Sequence, residues 1–281
     1  MINRVVVYIG SRKSFEEYLA KEVDPNDRTI PFMELIQHYN ARIRPSDSGV
    51  RETGALDPIT IDNCIVRLDD YGSVLDHVLP NFVNIVSLNH NIENLFVQNP
   101  PKRVLHSLES ACSDIIEYVQ AEYQNITRVT LKRIYRDLTK SILGQDSSSR
   151  QVVSGLYRLS TQIIEKPVVL LFYGASGVGK TETAKCISKT LGGELLRVQF
   201  SMMQTNEAYN YVFGAEHSKS SLARDILARE SNVILIDEFD KVSPIFYNAF
   251  YELFDEGRFV DSNYEVQLKK TIFICTSNFM S

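Results

Sequence analysis

Gly174, Ala175, Ser176, Gly177, Val178, Gly179, Lys180 and Thr181 place three glycines ahead of a lysine and a hydroxyl. Glycine accepts the backbone angles that turn amide N–H groups inward, so such a run can wrap main-chain donors around phosphate oxygens. An apolar run, VVLLFY at 168–173, leads into it. Behind it Ala184, Ile187, Ser188 and Leu191 fall on one face of a helix. The helix N-terminus adds its positive dipole end. Lys180 would then reach the β- and γ-phosphates of a nucleotide, and Thr181 a magnesium ion. A plain glycine turn is the competing reading, but the chance of this pattern in a chain of this length is about one in a hundred.

Further along, NVILIDEFDK ends an apolar strand in Asp237 and Glu238. A carboxylate at a strand's C-terminal end stands at the ligand edge of an open α/β sheet. Asp237 can hold the magnesium shell and Glu238 can act as base toward an attacking water. Alone, the pair would read as an acidic turn or helix cap; behind the glycine loop it reads as a site. Asn278 closes the apolar run TIFICTSN, where a neutral amide could orient that water or meet the γ-phosphate.

These groups need a scaffold. From Pro167 onward the chain alternates strand, loop and helix, with the nearly continuous apolar runs at 168–173, 194–200, 232–236 and 271–275 expected of parallel strands covered on both faces. Before that, 4–9, 64–68 and 82–88 read as strands and 14–20, 32–39 and 71–79 as helices, a smaller α/β unit over 1–100. Residues 44–58 read as an exposed loop. Val104, Leu108, Ala111, Ile115 and Val119 predict a linking helix within 101–130, and Leu131, Ile134 and Leu138 begin a second helix at the start of the larger unit, 131–281. A glycine turn after the first strand, Gly10-Ser11, more often closes a strand than holds a ligand.

With 281 residues, 44% hydrophobic and 23% charged, two domains with a large core are expected. A net charge of -5 disfavours nucleic acid and anionic membranes. The amino-terminal apolar run is too short for a signal peptide or a membrane span, which predicts a cytoplasmic address. Cys64, Cys112, Cys186 and Cys275 stand far apart and read as reduced thiols.

GASGVGKT, VILIDEFDK, LFDEGRFVDS, TIFICTSN and the segment ILGQD at 142–146 together resemble the second ATPase module of the Clp/Hsp100 AAA+ family, over about 131–281. The resemblance implies an α/β P-loop NTPase sheet flanked by helices, ATP and Mg2+, hydrolysis, a homo-oligomeric ring and a protein partner or substrate to be remodelled. It makes the loop with Glu182 behind it, and Ile142 and Leu143 beside the adenine, the nucleotide-binding residues. Thr181 and Asp237 become metal ligands, and Glu238 and Asn278 catalytic. In Clp relatives the region ahead of the module recruits or senses a partner.

Three departures accompany it. No aromatic follows Gly214 before the strand ending in Asp237, where the family grips its substrate, so a nucleotide-dependent switch or scaffold is the alternative. The family's arginine finger, sensor 2 and helical lid would lie beyond Ser281, so slow hydrolysis is expected of these residues alone. The family sheet order 5-1-4-3-2 would leave 168–173 at an edge, an arrangement proteins ordinarily avoid.

Overall fold

The computed structural model describes residues 1–43, 59–88, 90–161, 165–203 and 205–278. The segment 44–58, read above as a loop, lies outside them. The chain divides into two compact units. The first comprises Met1–Ala121 with Glu216–Lys219, the second Glu122–Ala215 with Ser220–Ser281.

In the first unit, β1 (Ile2–Ile9), α1 (Arg12–Glu22), β2 (Thr29–Pro31), α2 (Phe32–Ile43), β3 (Ile59–Val66), α3 (Phe82–Val86), β4 (His90–Gln98), α4 (Lys102–Cys112) and β5 (Ile116–Gln120) follow in order. Its sheet runs β2-β3-β4-β1-β5 with every pairing parallel. Within β1, residues 5–9 read as an apolar run because both faces are covered there, and Val5, Val6 and Val7 are buried.

Three of the elements expected from the sequence take another form here. Residues 82–88 form helix α3, not a strand: Phe82, Val83, Ile85 and Val86 are all buried, and a short apolar run buried all round carries no period to tell the two apart. Residues 71–79 form two 3-10 turns, Asp70–Ser73 and Asp76–Val78, separated by an exposed Leu75. The linking helix expected within 101–130 stops at Cys112. Ile115 and Val119 keep helical spacing by coincidence, since Ile116–Gln120 pairs with β1 as β5, Val5 facing Ile116 and Tyr8 facing Val119. β4 is absent from the sequence reading because polar Asn91, Glu93 and Asn94 interrupt its apolar residues.

The second unit contains α5 (Arg128–Ser141), α6 (Asp146–Leu156), β6 (Val168–Tyr173), α7 (Lys180–Thr190), β7 (Leu196–Gln199), α8 (Thr205–Phe213), α9 (Leu222–Leu227), β8 (Val233–Asp237), α10 (Tyr247–Asp255), a hairpin of β9 (Arg258–Val260) and β10 (Glu265–Gln267), and β11 (Ile272–Ser277). Its four-stranded sheet has the order β6-β11-β8-β7, all parallel. β6 forms the edge expected of 168–173, and Leu171 and Tyr173 are 58% and 70% exposed.

The Thr127 hydroxyl accepts from Thr130 N and caps α5, whose Leu131, Ile134 and Leu138 enter the main core with Ala184 and Ile187 of α7 and Val233 and Leu235 of β8. That packing fixes α7 across the sheet and so fixes the loop that precedes it. Ile134→Ala is expected to cost about 2–5 kcal/mol, as deletions of buried branched side chains do. Urea unfolding should show a lower midpoint at unchanged slope.

Candidate functional site

The glycine loop turns between β6 and α7 on three positive-φ glycines, Gly174 (139°), Gly177 (83°) and Gly179 (93°). A methyl group at Gly177 would meet nothing within 4 Å, so there the left-handed backbone, not crowding, calls for glycine. A methyl at Gly179 would lie 3.1 Å from Ile142 Cγ2, which brings buried Ile142 to the loop. The neighbouring Leu143 is 86% exposed.

Lys180, the first residue of α7, directs its Nζ at three oxygens: it donates to Gly174 O at 2.7 Å, Ala175 O at 3.0 Å and Asn278 Oδ1 at 2.8 Å. Asn278, just past β11, is thereby joined to the loop. Thr181 is half-buried on the first turn of α7, and Glu182 points outward to Lys185 at 2.7 Å.

β8 delivers Asp237 beside this point almost fully buried. Its Oδ1 accepts from the Thr276 hydroxyl and its Oδ2 from Arg197, whose Nε lies 2.9 Å away. Burial alone would raise the Asp237 pKa. The donors Thr276 and Arg197, with the Arg197 charge, outweigh it and hold the carboxyl below its ordinary value.

Thr276 also accepts from Glu238 N at 2.9 Å. Glu238 takes a left-handed backbone, φ 55°, which a non-glycine residue adopts only where its surroundings compel it. Thr276, in β11, and Asn278, just past its end, reach to either side, one to Asp237 and the Glu238 amide at the end of β8 and the other to the lysine of the loop.

Sequence reasoning missed Thr276 and Arg197. A hydroxyl inside an apolar strand run was the available signal for Thr276. Arg197 lies on β7 opposite Leu235, diagonal to Asp237, a relation that only the sheet register reveals.

A cavity of about 650 Å³ opens beside the loop, lined by Gly179, Lys180 and Thr183 on one side and by Gln145, Ser148 and Ser149 at the start of α6 on another. Its size falls within the range of small-molecule sites. The glycine cradle, the cationic Lys180 and the acidic Asp237 suit a polyphosphate bound with a divalent cation.

The family described as AAA domain (Cdc48 subfamily) matches residues 165–281. A ClpA homolog protein of Fuscovulum blasticum is 29% identical over 216 residues, 72% of this chain and 27% of its own length. The chaperone protein ClpB of Rickettsia bellii is 32% identical over 154 residues, 50% of this chain and 18% of its own. Residues 165–281 are thus similar to an AAA+ module of the Clp/Hsp100 type. Among solved structures, the S. cerevisiae Hsp104-ADP complex shows 27% identity and a TM-score of 0.43, covering 53% of this chain and 23% of its own. The chain spans only about a quarter of the ClpA homolog and less of ClpB. The ClpA homolog's match covers more of the chain than the second unit contains, and so continues into the first.

Within the module, Thr276→Val keeps the shape and removes the hydroxyl, leaving one oxygen of Asp237 and the amide of Glu238 without that partner. Asp237 is held below its ordinary pKa, so its contribution to stability is present above about pH 3.9 and is lost as pH falls through the lower folded value. Removing a donor lets that folded value rise. Acid titration followed by circular dichroism should show the variant unfolding at higher pH than the unaltered protein, with about 1–3 kcal/mol less stability at pH 7.

Proposed function

We propose that the second unit binds ATP with Mg2+ at the Gly174–Thr181 loop, hydrolyses it, and couples that cycle to remodelling of a protein partner within a ring of like subunits. The observation that carries the proposal is the convergence of Lys180, Asn278 and the Asp237–Glu238 pair, linked through Thr276, at the ends of three adjacent strands. In the chaperone ClpB relatives the same module type recurs, which supports a protein partner.

Main-chain amides of the loop would cradle the phosphates and Lys180 would pair with the γ-phosphate oxygens. Thr181 and Asp237 would hold Mg2+, which neutralises charge on the phosphates. Glu238 would accept a proton from the water whose oxygen forms the new bond to the γ-phosphorus as the bond to the bridging oxygen breaks. Asn278, already hydrogen-bonded to Lys180, would orient that water. Ile142 would pack near the base; Leu143 and Glu182, both exposed, make weaker claims on the nucleotide.

One observation favours a second reading. Residues 215–232 carry no aromatic side chain with which to grip a threaded polypeptide. A switch, in which bound ATP orders an assembly and turnover merely resets it, fits that stretch.

Two substitutions test the chemistry. Lys180→Ala should weaken binding of a fluorescent ATP analogue by about tenfold or more, the loss of a charge-assisted contact. Glu238→Gln should keep that affinity within about threefold while turnover falls about 10²–10⁴-fold. Undiminished phosphate release by Glu238→Gln would remove Glu238 from the reaction. An assembly that remains fully active with this variant would select the switch over the remodelling engine.

A further inference from the structure

In the second unit the first strand in chain order neighbours the fourth, the fourth the third, and the third the second, as β6-β11-β8-β7. The first unit repeats this relation with β1, β4, β3 and β2, and adds β5 on the free side of β1. Consecutive strands more often lie side by side, so two sheets in one chain that skip in the same way are informative.

Finer features agree. Tyr8 of β1 faces Gln98 of β4, and Tyr173 of β6 faces Ser277 of β11. Directly after those two partners stand Asn99 and Asn278. A glycine soon follows each first strand, Gly10 and Gly174, and each leads to a helix of 11 residues, α1 and α7. Asp69 and Asp70 follow β3, as Asp237 and Glu238 close β8.

What differs is the turn. Between β1 and α1 only Gly10 and Ser11 remain, and every polar group of Gly10 is taken. Gly10 N donates to Asn99 Oδ1 at 2.9 Å, while Gly10 O accepts from Asn99 Nδ2 at 2.8 Å and Gln98 Nε2 at 3.1 Å, all buried. In the second unit the matching carbonyl, Gly174 O, accepts from Lys180 Nζ, and Asn278 meets the same ammonium. Asn99 thus occupies in the first unit the position that the lysine mediates in the second.

The space is filled as well. A methyl at Gly10 would lie 2.5 Å from Ala121 Cβ and 2.9 Å from Ser14 Oγ. Ser11 Oγ accepts from Ser14 N at 3.1 Å, capping α1, and Asp70 accepts from Arg67 N at 2.7 Å.

We propose that the first unit is a sister of the AAA+ module whose phosphate cup is sealed by Asn99 and Gln98, so that it takes no nucleotide and keeps one conformation through the cycle of the second unit. The inference stands on the first unit's own bonds and holds whether or not the Lys180 site hydrolyses ATP.

Hydrogen exchange of the full chain, with and without saturating Mg-ATP, tests it. In peptides covering residues 8–14 and 96–101, protection should change less than about twofold on adding Mg-ATP, in the unaltered protein and in Lys180→Ala alike. About tenfold added protection there, above all in Lys180→Ala, would overturn the proposal. Peptides over 174–181 report separately: no response in the unaltered protein would defeat the nucleotide site of the second unit, while the first unit is still decided by its own peptides. Asn99→Ala should speed exchange at Gly10 and Ser11 about tenfold or more while leaving the response of 174–181 unchanged. Unaltered exchange at Gly10 in that variant would show that Asn99 is not the seal, and the proposal would fall.

Discussion

Asp237 ends a strand buried on every side, and a carboxylate in that position must have its oxygens occupied by donors or it would favour its neutral form. One donor comes from each neighbouring strand: Thr276 from β11 and Arg197 from β7. The strand order β11-β8-β7 is therefore also an electrostatic arrangement, since moving either neighbour would strand a buried charge. Thr276, having donated to Asp237, still has lone pairs, and one of them holds the Glu238 amide and with it the left-handed turn that sets the second carboxylate. Two residues on, Asn278 takes the Lys180 ammonium. A continuous line of bonds thus runs from β7 to the glycine loop, and no member can shift without disturbing the next.

The local geometry of the candidate site was largely legible in the sequence because its residue types have few other uses in that spacing. Glycines at 174, 177 and 179 followed by Lys180 need a positive-φ turn and a helix start, and Asp237 after four apolar residues needs a strand end. What escaped was what depends on register across strands. Arg197 and Thr276 are far from Asp237 in the chain and become its partners only once the sheet is assembled.

The errors in the first unit share one cause. Buried helix α3 and exposed-edge strand β5 both lack the alternation or stripe that identifies an element by period, so short apolar spacings point to the wrong one. Tertiary pairing decided them: Ile116–Gln120 completes the hydrogen bonds along the open side of β1, which a helix continuing from α4 would have left unmet.

Two sheets with one strand order, only one of them with a cup, separate what the topology supplies from what the loop supplies. Parallel strands bring the ends of β1 and β4, or of β6 and β11, together regardless of sequence. Whether a ligand can enter there is set by the connection. The longer glycine-rich turn of the second unit bends on positive-φ glycines and brings a lysine to the asparagine at the strand end. The two-residue turn of the first unit keeps Gly10 within reach of Asn99 and Gln98, and three buried hydrogen bonds then satisfy the very groups a phosphate would require. A bound anion would have to replace those bonds and displace Ala121 as well, so the short connection makes this strand-end edge an ordinary piece of core.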